Sequence, residues 1–103
     1  MDSLAIDVAT PVPLRVVCTT EQWQLITTIT QPALANQIAR VRSTLTHPDE
    51  VRESSKDPTV LLYYRRIGPR WMAGVVKRAN DRGFLIAAYP ATSVKPGVRL
   101  WPR

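Results

Sequence analysis

Apolar residues recur along the chain with two different periods, one typical of helices and one typical of strands. Between residues 31 and 48, large apolar side chains are spaced by four, three and four residues, the period of one helix face. These residues are Leu34, Ile38, Val41 and Leu45. Pro32 suits the first position of this helix, and Pro48 ends it because the residue before a proline avoids the helical region.

A shorter strand and helix precede this apolar stripe. Residues 14–18 are rich in β-branched side chains and predict a strand. Thr19 and Gln22 have the spacing of a capping box, so a helix is expected to follow over roughly residues 20–29. Residues 1–13 contain few large apolar groups, and we predict that they form a flexible leader.

The second half of the chain predicts a run of antiparallel strands. Gly, Pro, Asn and Asp residues separate its apolar segments, and these residues favour turns. The predicted strands are Val60–Arg66, Trp71–Arg78, Phe84–Tyr89 and, as a last edge segment, Val94–Trp101. The polar run at residues 49–58 is predicted to be a loop.

Together these elements predict an α+β fold. We expect a short N-terminal strand, two helices and then a three- to four-stranded antiparallel sheet, with both helices packed on one face in two layers. Residues 14–103 would form this single domain behind the leader at residues 1–13. The core is expected to combine the apolar stripe with Val75 and Ile86.

Composition is typical of a small globular domain. The 103 residues are 45% hydrophobic and 21% charged, and no apolar stretch approaches the ~20 residues that span a bilayer. Cys18 is the only cysteine and His47 the only histidine, so we expect an inert buried thiol, no metal site and no cofactor. The first ten residues contain two Asp and no Lys or Arg, which argues against a secretory signal and predicts a cytoplasmic protein.

Positive charge is concentrated in the second half of the chain. Residues 1–50 hold three Arg and five acidic residues, whereas residues 51–103 hold eleven Lys or Arg and three acidic residues. The halves therefore carry net charges of −2 and +8, which give the overall +6. Such asymmetry indicates a basic surface that faces an anion, most often nucleic acid, although a generally basic surface gives the same count.

Strand alternation selects the candidate RNA-binding residues. Successive side chains of a strand point to opposite faces, so Tyr63 shares a face with Arg65, and Tyr89 shares a face with Leu85. We expect Arg65 and Lys77 to face one open patch with Tyr63 or Tyr89 beside them, because cations hold phosphates and rings stack on bases. The full nucleic-acid-binding set is Tyr63, Tyr64, Arg65, Arg66, Lys77 and Lys95.

Several segments in order resemble the barnase–EndoU–colicin–RelE group of phage and bacterial nucleases. The resemblance rests on residues 47–58, Leu62-Tyr63-Tyr64-Arg65, Val75-Val76-Lys77, residues 84–89, Val94-Lys95-Pro96-Gly97 and Leu100-Trp101. It implies a RelE/barnase-like, toxin-related fold with metal-independent ribonuclease chemistry. In this resemblance Lys77 matches the family's strand lysine, and Tyr64 and Arg65 match its tyrosine-arginine pair. Tyr89 matches the tyrosine of its threonine-alanine-tyrosine segment. The resemblance thus implies Arg65, Lys77 and Tyr89 as catalytic residues.

The resemblance also has gaps at the proton-transfer positions. The family pattern has histidines where this chain has Leu25 and Gln31, and a threonine where it has Ala87. We therefore expect binding of RNA or a ribonucleoprotein with weakened or lost ribonuclease activity. Two alternatives stay open: a protein-interaction subunit that docks onto a larger complex or a second copy in a homodimer, and an active metal-independent endoribonuclease.

Overall fold

The computed structural model describes residues 3–102, which build a seven-stranded sheet and two short helices. The strands are β1 (Leu4–Ala9), β2 (Arg15–Thr19), β3 (Glu50–Ser54), β4 (Val60–Ile67), β5 (Arg70–Ala79), β6 (Arg82–Ala91) and β7 (Gly97–Trp101). Between β2 and β3, α1 (Thr20–Leu25) continues as a π-helical turn (Ile26–Thr30), and a 3₁₀ turn (Pro32–Leu34) precedes α2 (Ile38–Thr46).

The sheet is mixed, with the strand order β1-β2-β6-β5-β4-β3-β7. Strands β2 and β6 run parallel, and every other neighbouring pair is antiparallel. A parallel pair needs a crossover connection, and both helices lie in the connection that leads from β2 back to the sheet. Within residues 3–102, no helix is long and apolar enough to cross a membrane.

The predicted three- to four-stranded antiparallel sheet is wrong, because two further strands extend it. One of them is β1, which lies in the expected flexible leader and pairs antiparallel with β2. Ile6 and Val8 of β1 are only 1% and 7% exposed, so the hydrophobic effect holds this segment in the fold. The leader prediction is therefore wrong for residues 4–9; Met1 and Asp2 lie outside the described residues.

The second additional strand is β3, which lies in the predicted loop at residues 49–58. It pairs with both β4 and β7, although Val51 is its only fully buried side chain. Polar side chains occupy the other positions, and Arg52 forms an ion pair with Glu50 at 2.5 Å. Backbone pairing on both sides, rather than an apolar pattern, makes this segment a strand.

The Thr19 cap of the first helix is confirmed, whereas the predicted start of the second helix at Pro32 is wrong. Thr19 is the N-cap of α1, and its side chain accepts a hydrogen bond from the Gln22 backbone N–H at 3.1 Å. Pro32 begins a single 3₁₀ turn, and α2 begins only at Ile38. Leu34, Val41 and Leu45 of the apolar stripe are buried, whereas Ile38 is partly exposed at the edge of the core.

The helices cover one face of the sheet, and the main core lies between them and the strands. The predicted core members Val75 and Ile86 are wrong, because Val76 and Leu85 occupy those places at 0% and 1% exposure. Ile86 is 44% exposed, and the β5–β6 register shifts between Val75 and Val76. This β-bulge adds a residue to β6, so faces deduced from strict alternation change at that point.

Candidate nucleic-acid interface

The sheet face opposite the helices carries a second, smaller apolar cluster. Leu62, Tyr64 and Ala73 form its buried centre, and partly buried side chains surround them. These surrounding residues are Val60, Trp71, Val75, Tyr89, Ala91 and Val94. We call this surface the open face, because no helix of residues 3–102 packs on it.

The three implied catalytic residues do not come together. Arg65 lies opposite Met72, a residue of the helix-side core, and its Nη1 donates a hydrogen bond to the His47 carbonyl oxygen at 2.5 Å. Lys77 and Tyr89 lie on the open face instead. The expectation that Arg65 and Lys77 share one patch is therefore wrong, because they stand on alternate faces of neighbouring strands.

Tyr63 and Tyr64, two members of the predicted nucleic-acid-binding set, are not accessible to a base. Tyr63 and Tyr64 are both 0% exposed. The Tyr63 hydroxyl shares a hydrogen bond with the Thr10 hydroxyl at 2.9 Å, and the Tyr64 hydroxyl accepts one from the Lys95 backbone N–H at 3.2 Å. Burial raises the pKa of both phenols, since it disfavours the charged form. These two positions are structural, so their prediction as stacking residues is wrong.

Two cation–aromatic pairs remain on the open face. The Arg66 guanidinium lies 5.2 Å from the centroid of the Trp71 ring, and the Lys95 ammonium lies 5.8 Å from the Tyr89 centroid. Trp71 also meets Tyr64 edge to face, with centroids 6.2 Å apart. Contacts of this kind place positive charge directly beside flat apolar rings, which is the combination that stacks bases and holds phosphates.

A cleft of about 450 Å³ lies beside the Lys95–Tyr89 pair. Its floor is apolar and its rim carries two serines and two lysines; the lining residues are Ser54, Ser55, Lys56, Val60, Leu62, Val75, Tyr89, Lys95 and Pro96. The turn after β3 is fixed by the Lys56 backbone N–H, which donates to the Ser54 hydroxyl at 3.2 Å. Lys56 was missed by sequence reasoning, although its Ser-Ser-Lys-Asp-Pro context is a recognisable turn signal.

Lys77 stands near this cleft in an ion pair with Asp57. The Lys77 Nζ lies 3.2 Å from Asp57 Oδ2, and both side chains are about half exposed. Hydrogen bonds from Thr59, with a smaller contribution from Lys77, lower the pKa of Asp57 to about 2. Asp57 is thus ionised at neutral pH and partly offsets the Lys77 charge.

The open face offers cations and rings but few groups for proton transfer. His47 is the C-cap of α2, where its Nδ1 hydrogen-bonds the Thr46 hydroxyl at 3.0 Å, so it belongs to the helix end. Over residues 3–102, no group of three His, Cys, Asp or Glu side chains is placed to hold a metal ion.

Comparisons with protein-family models, with curated proteins and with solved structures found no match to this chain. The resemblance to the barnase–EndoU–colicin–RelE group therefore stays a prediction.

Proposed function

We propose that the chain binds single-stranded RNA across the open face of its sheet and does not cleave it. The observation that carries this proposal is the pair of cation–aromatic contacts, Arg66 on Trp71 and Lys95 on Tyr89, on the face that no described helix covers. Each pair combines a ring for a base with a charge for a phosphate. Duplex RNA presents no unstacked bases, so rings of this kind favour single strands.

The dimensions of the open face suit a short stretch of single strand. Trp71 and Lys77 lie six residues apart on β5, which corresponds to roughly 20 Å along the strand. The cleft of about 450 Å³ lies next to this row and has room for a base against Tyr89. The neighbouring Ser54 and Ser55 hydroxyls and the Lys56 ammonium then lie at the rim, where polar groups can meet ribose and phosphate.

The separation of the implied catalytic residues supports binding without cleavage. Arg65 is held by the His47 carbonyl on the helix side, whereas Lys77 and Tyr89 lie on the open face. A phosphate that contacts Lys77 or Tyr89 is therefore out of reach of Arg65. Cleavage at the 2′-hydroxyl needs a base, an acid and a cation around one phosphate, and these three residues do not surround one point.

Substitution at Tyr89 tests the stacking that this proposal requires. We expect Tyr89→Leu to weaken binding of a fluorescently labelled single-stranded RNA by about 5- to 150-fold, since a base–aromatic stack contributes ~1–3 kcal/mol. Tyr89→Phe is the matched control, because it keeps the ring and should bind within about twofold of wild type. Fluorescence anisotropy at fixed ionic strength measures both affinities.

Equal weakening by Tyr89→Phe and Tyr89→Leu would contradict the stacking role. Circular dichroism and thermal melting of both variants separate lost binding from lost folding. Multiple turnovers on RNA without metal, retained after controls for contaminating nuclease, would overturn the claim that the chain does not cleave.

A second candidate function is docking of a protein partner on the first half of β6, an interior strand of the sheet. Phe84 and Ile86 are 42% and 44% exposed, and both carry large apolar side chains without a covering element among residues 3–102. Exposed apolar neighbours of this kind favour a protein contact. Binding that resists high salt and is lost in Phe84→Ser, with RNA affinity absent in wild type, would favour this second function.

A further inference from the structure

A pocket of about 280 Å³ lies on the other side of the sheet, between α2 and the end of β4. Its lining consists of Ala39, Arg40, Ser43, Arg65, Arg66 and Ile67. None of these residues is acidic, and Arg40 and Arg65 are the two arginines whose guanidiniums do not stack on the open face, where that of Arg66 lies over Trp71. Such a concentration of like charge is unfavourable by itself and becomes favourable when an anion occupies the pocket.

The spacing along α2 explains which of its residues reach the pocket. Arg40 and Ser43 are three residues apart and so lie on the same side of the helix. Arg42 is exposed but does not line the pocket, because it points from another side of the helix. Arg40 and Arg42 therefore carry the same charge on the same helix, but only Arg40 lines the pocket.

Arg65 is oriented by the backbone rather than neutralised by a carboxylate. Its Nη1 donates to the His47 carbonyl oxygen at 2.5 Å, which fixes the guanidinium and leaves its other N–H donors for a ligand. The ion pairs found within residues 3–102 use Arg15, Arg52 and Lys77, and none involves Arg40 or Arg65.

The remaining charged groups near the pocket have other partners. The Arg66 guanidinium stacks on Trp71 at 5.2 Å, and its Nε donates to the Gly68 carbonyl oxygen at 3.0 Å. The Asp49 carboxylate accepts the Arg66 backbone N–H at 2.7 Å and is not part of the lining. Arg40 and Arg65, with the Ser43 hydroxyl, are thus the donors that an anion in this pocket would meet.

We propose that this pocket binds a phosphate group, held by the guanidiniums of Arg40 and Arg65 and by the Ser43 hydroxyl. Planar guanidinium donors match the oxygens of phosphate in pairs, and phosphate has more acceptor oxygens and more negative charge than a carboxylate, so donors from two elements can bind it together. The site lies on the helix side, so it is separate from the proposed RNA-binding surface and does not depend on it.

Titration of the full chain with inorganic phosphate at constant ionic strength, followed by calorimetry, tests this site. We expect saturable binding, with an affinity about tenfold lower in Arg40→Gln and in Arg65→Gln, because each loses a charge-assisted hydrogen bond. Arg42→Gln removes the same charge from the same helix outside the pocket and should bind within about twofold of wild type. Arg40 is exposed, and its side chain takes part in none of the ion pairs among residues 3–102, so its variant remains informative if Arg65→Gln proves unstable.

Three results would overturn the phosphate site. These are no saturable binding of phosphate by wild type, equal loss in Arg42→Gln, and acetate binding as tightly as phosphate.

Comparing a 5′-phosphorylated RNA with its 5′-hydroxyl form distinguishes the sources of the phosphate group. If wild type binds the phosphorylated strand more tightly and Arg40→Gln does not, the site takes the phosphate of an RNA end. If wild type binds both RNAs with equal affinity and still binds inorganic phosphate saturably, the site takes a small phosphate compound. Loss of phosphate binding in Arg40→Gln with unchanged binding of the 5′-hydroxyl RNA shows that the two surfaces are independent.

Discussion

Tyr64 lies at the centre of the open face, yet its function is to position other residues. Its ring is buried against Trp71, and its hydroxyl accepts the backbone N–H of Lys95. That contact fixes the segment after β6, and with it the Lys95 ammonium over the Tyr89 ring. A buried tyrosine therefore holds the loop that supplies an accessible cation, which explains why its own ring is not available to a base.

The burial of Tyr64 also predicts how stability depends on pH. Its raised pKa means that the folded protein keeps the phenolic proton at pH values where the unfolded chain has released it. Burial raises the pKa of Cys18 from 9.0 to about 11 in the same sense. The free energy of unfolding should thus begin to fall near pH 9 and fall more steeply above about pH 10, the ordinary tyrosine value.

Tyr64→Phe should make this alkaline fall shallower, because one of the two buried phenols no longer titrates. At pH 7 the variant should be less stable by about 1 kcal/mol, from the lost hydrogen bond to Lys95. Urea denaturation from pH 7 to 11 measures both effects. A variant whose stability falls with the same slope as wild type above pH 10 would show that Tyr64 ionises as easily when folded as when unfolded.

At the scale of elements, the sequence predicts best those features that depend on residues within a single segment. The Thr19 cap and the burial of Leu34, Val41 and Leu45 follow from local sequence, whereas Pro32 opens a 3₁₀ turn and α2 begins only at Ile38. Strand β3 could not be predicted in this way, because Val51 is its only apolar side chain and pairing with β4 and β7 defines it. Strand β1 did carry a signal, since Leu4, Ile6 and Val8 alternate with smaller or polar residues.

The contribution of β1 to stability can be measured with two neighbouring apolar residues. Ile6→Ala should cost about 2–5 kcal/mol, because it leaves a cavity in the helix-side core. Leu4→Ala is the matched control; its side chain is 46% exposed, so it should cost less than about 1 kcal/mol. Chemical denaturation of both variants gives these values, and a cost below about 0.5 kcal/mol for Ile6→Ala would mean that β1 adds little to the fold.

At the scale of the whole molecule, charge could be predicted but its distribution over the two faces could not. The second half of the chain supplies β4 to β7 and carries the +8 charge, as the sequence shows. Arg65 nevertheless lies on the helix side, and the β-bulge in β6 places Tyr89 on the face opposite Leu85. A one-residue shift in a strand moves its side chains to the opposite face of the sheet. Residues that strict alternation groups into one candidate site therefore lie on two different surfaces.

Binding through the open face is tested most directly by the salt dependence of affinity for a 5′-hydroxyl single-stranded RNA. We predict that Lys77→Gln/Lys95→Gln reduces the magnitude of the slope of log affinity against log salt by about 0.7 to 1.4, since each full phosphate contact contributes about 0.7 and the Lys77 charge is partly offset by Asp57. Arg40→Gln/Arg42→Gln removes the same charge from the helix side and should leave the slope unchanged. An equal reduction in both double variants, or no salt-sensitive RNA binding by wild type, would contradict RNA binding on the open face.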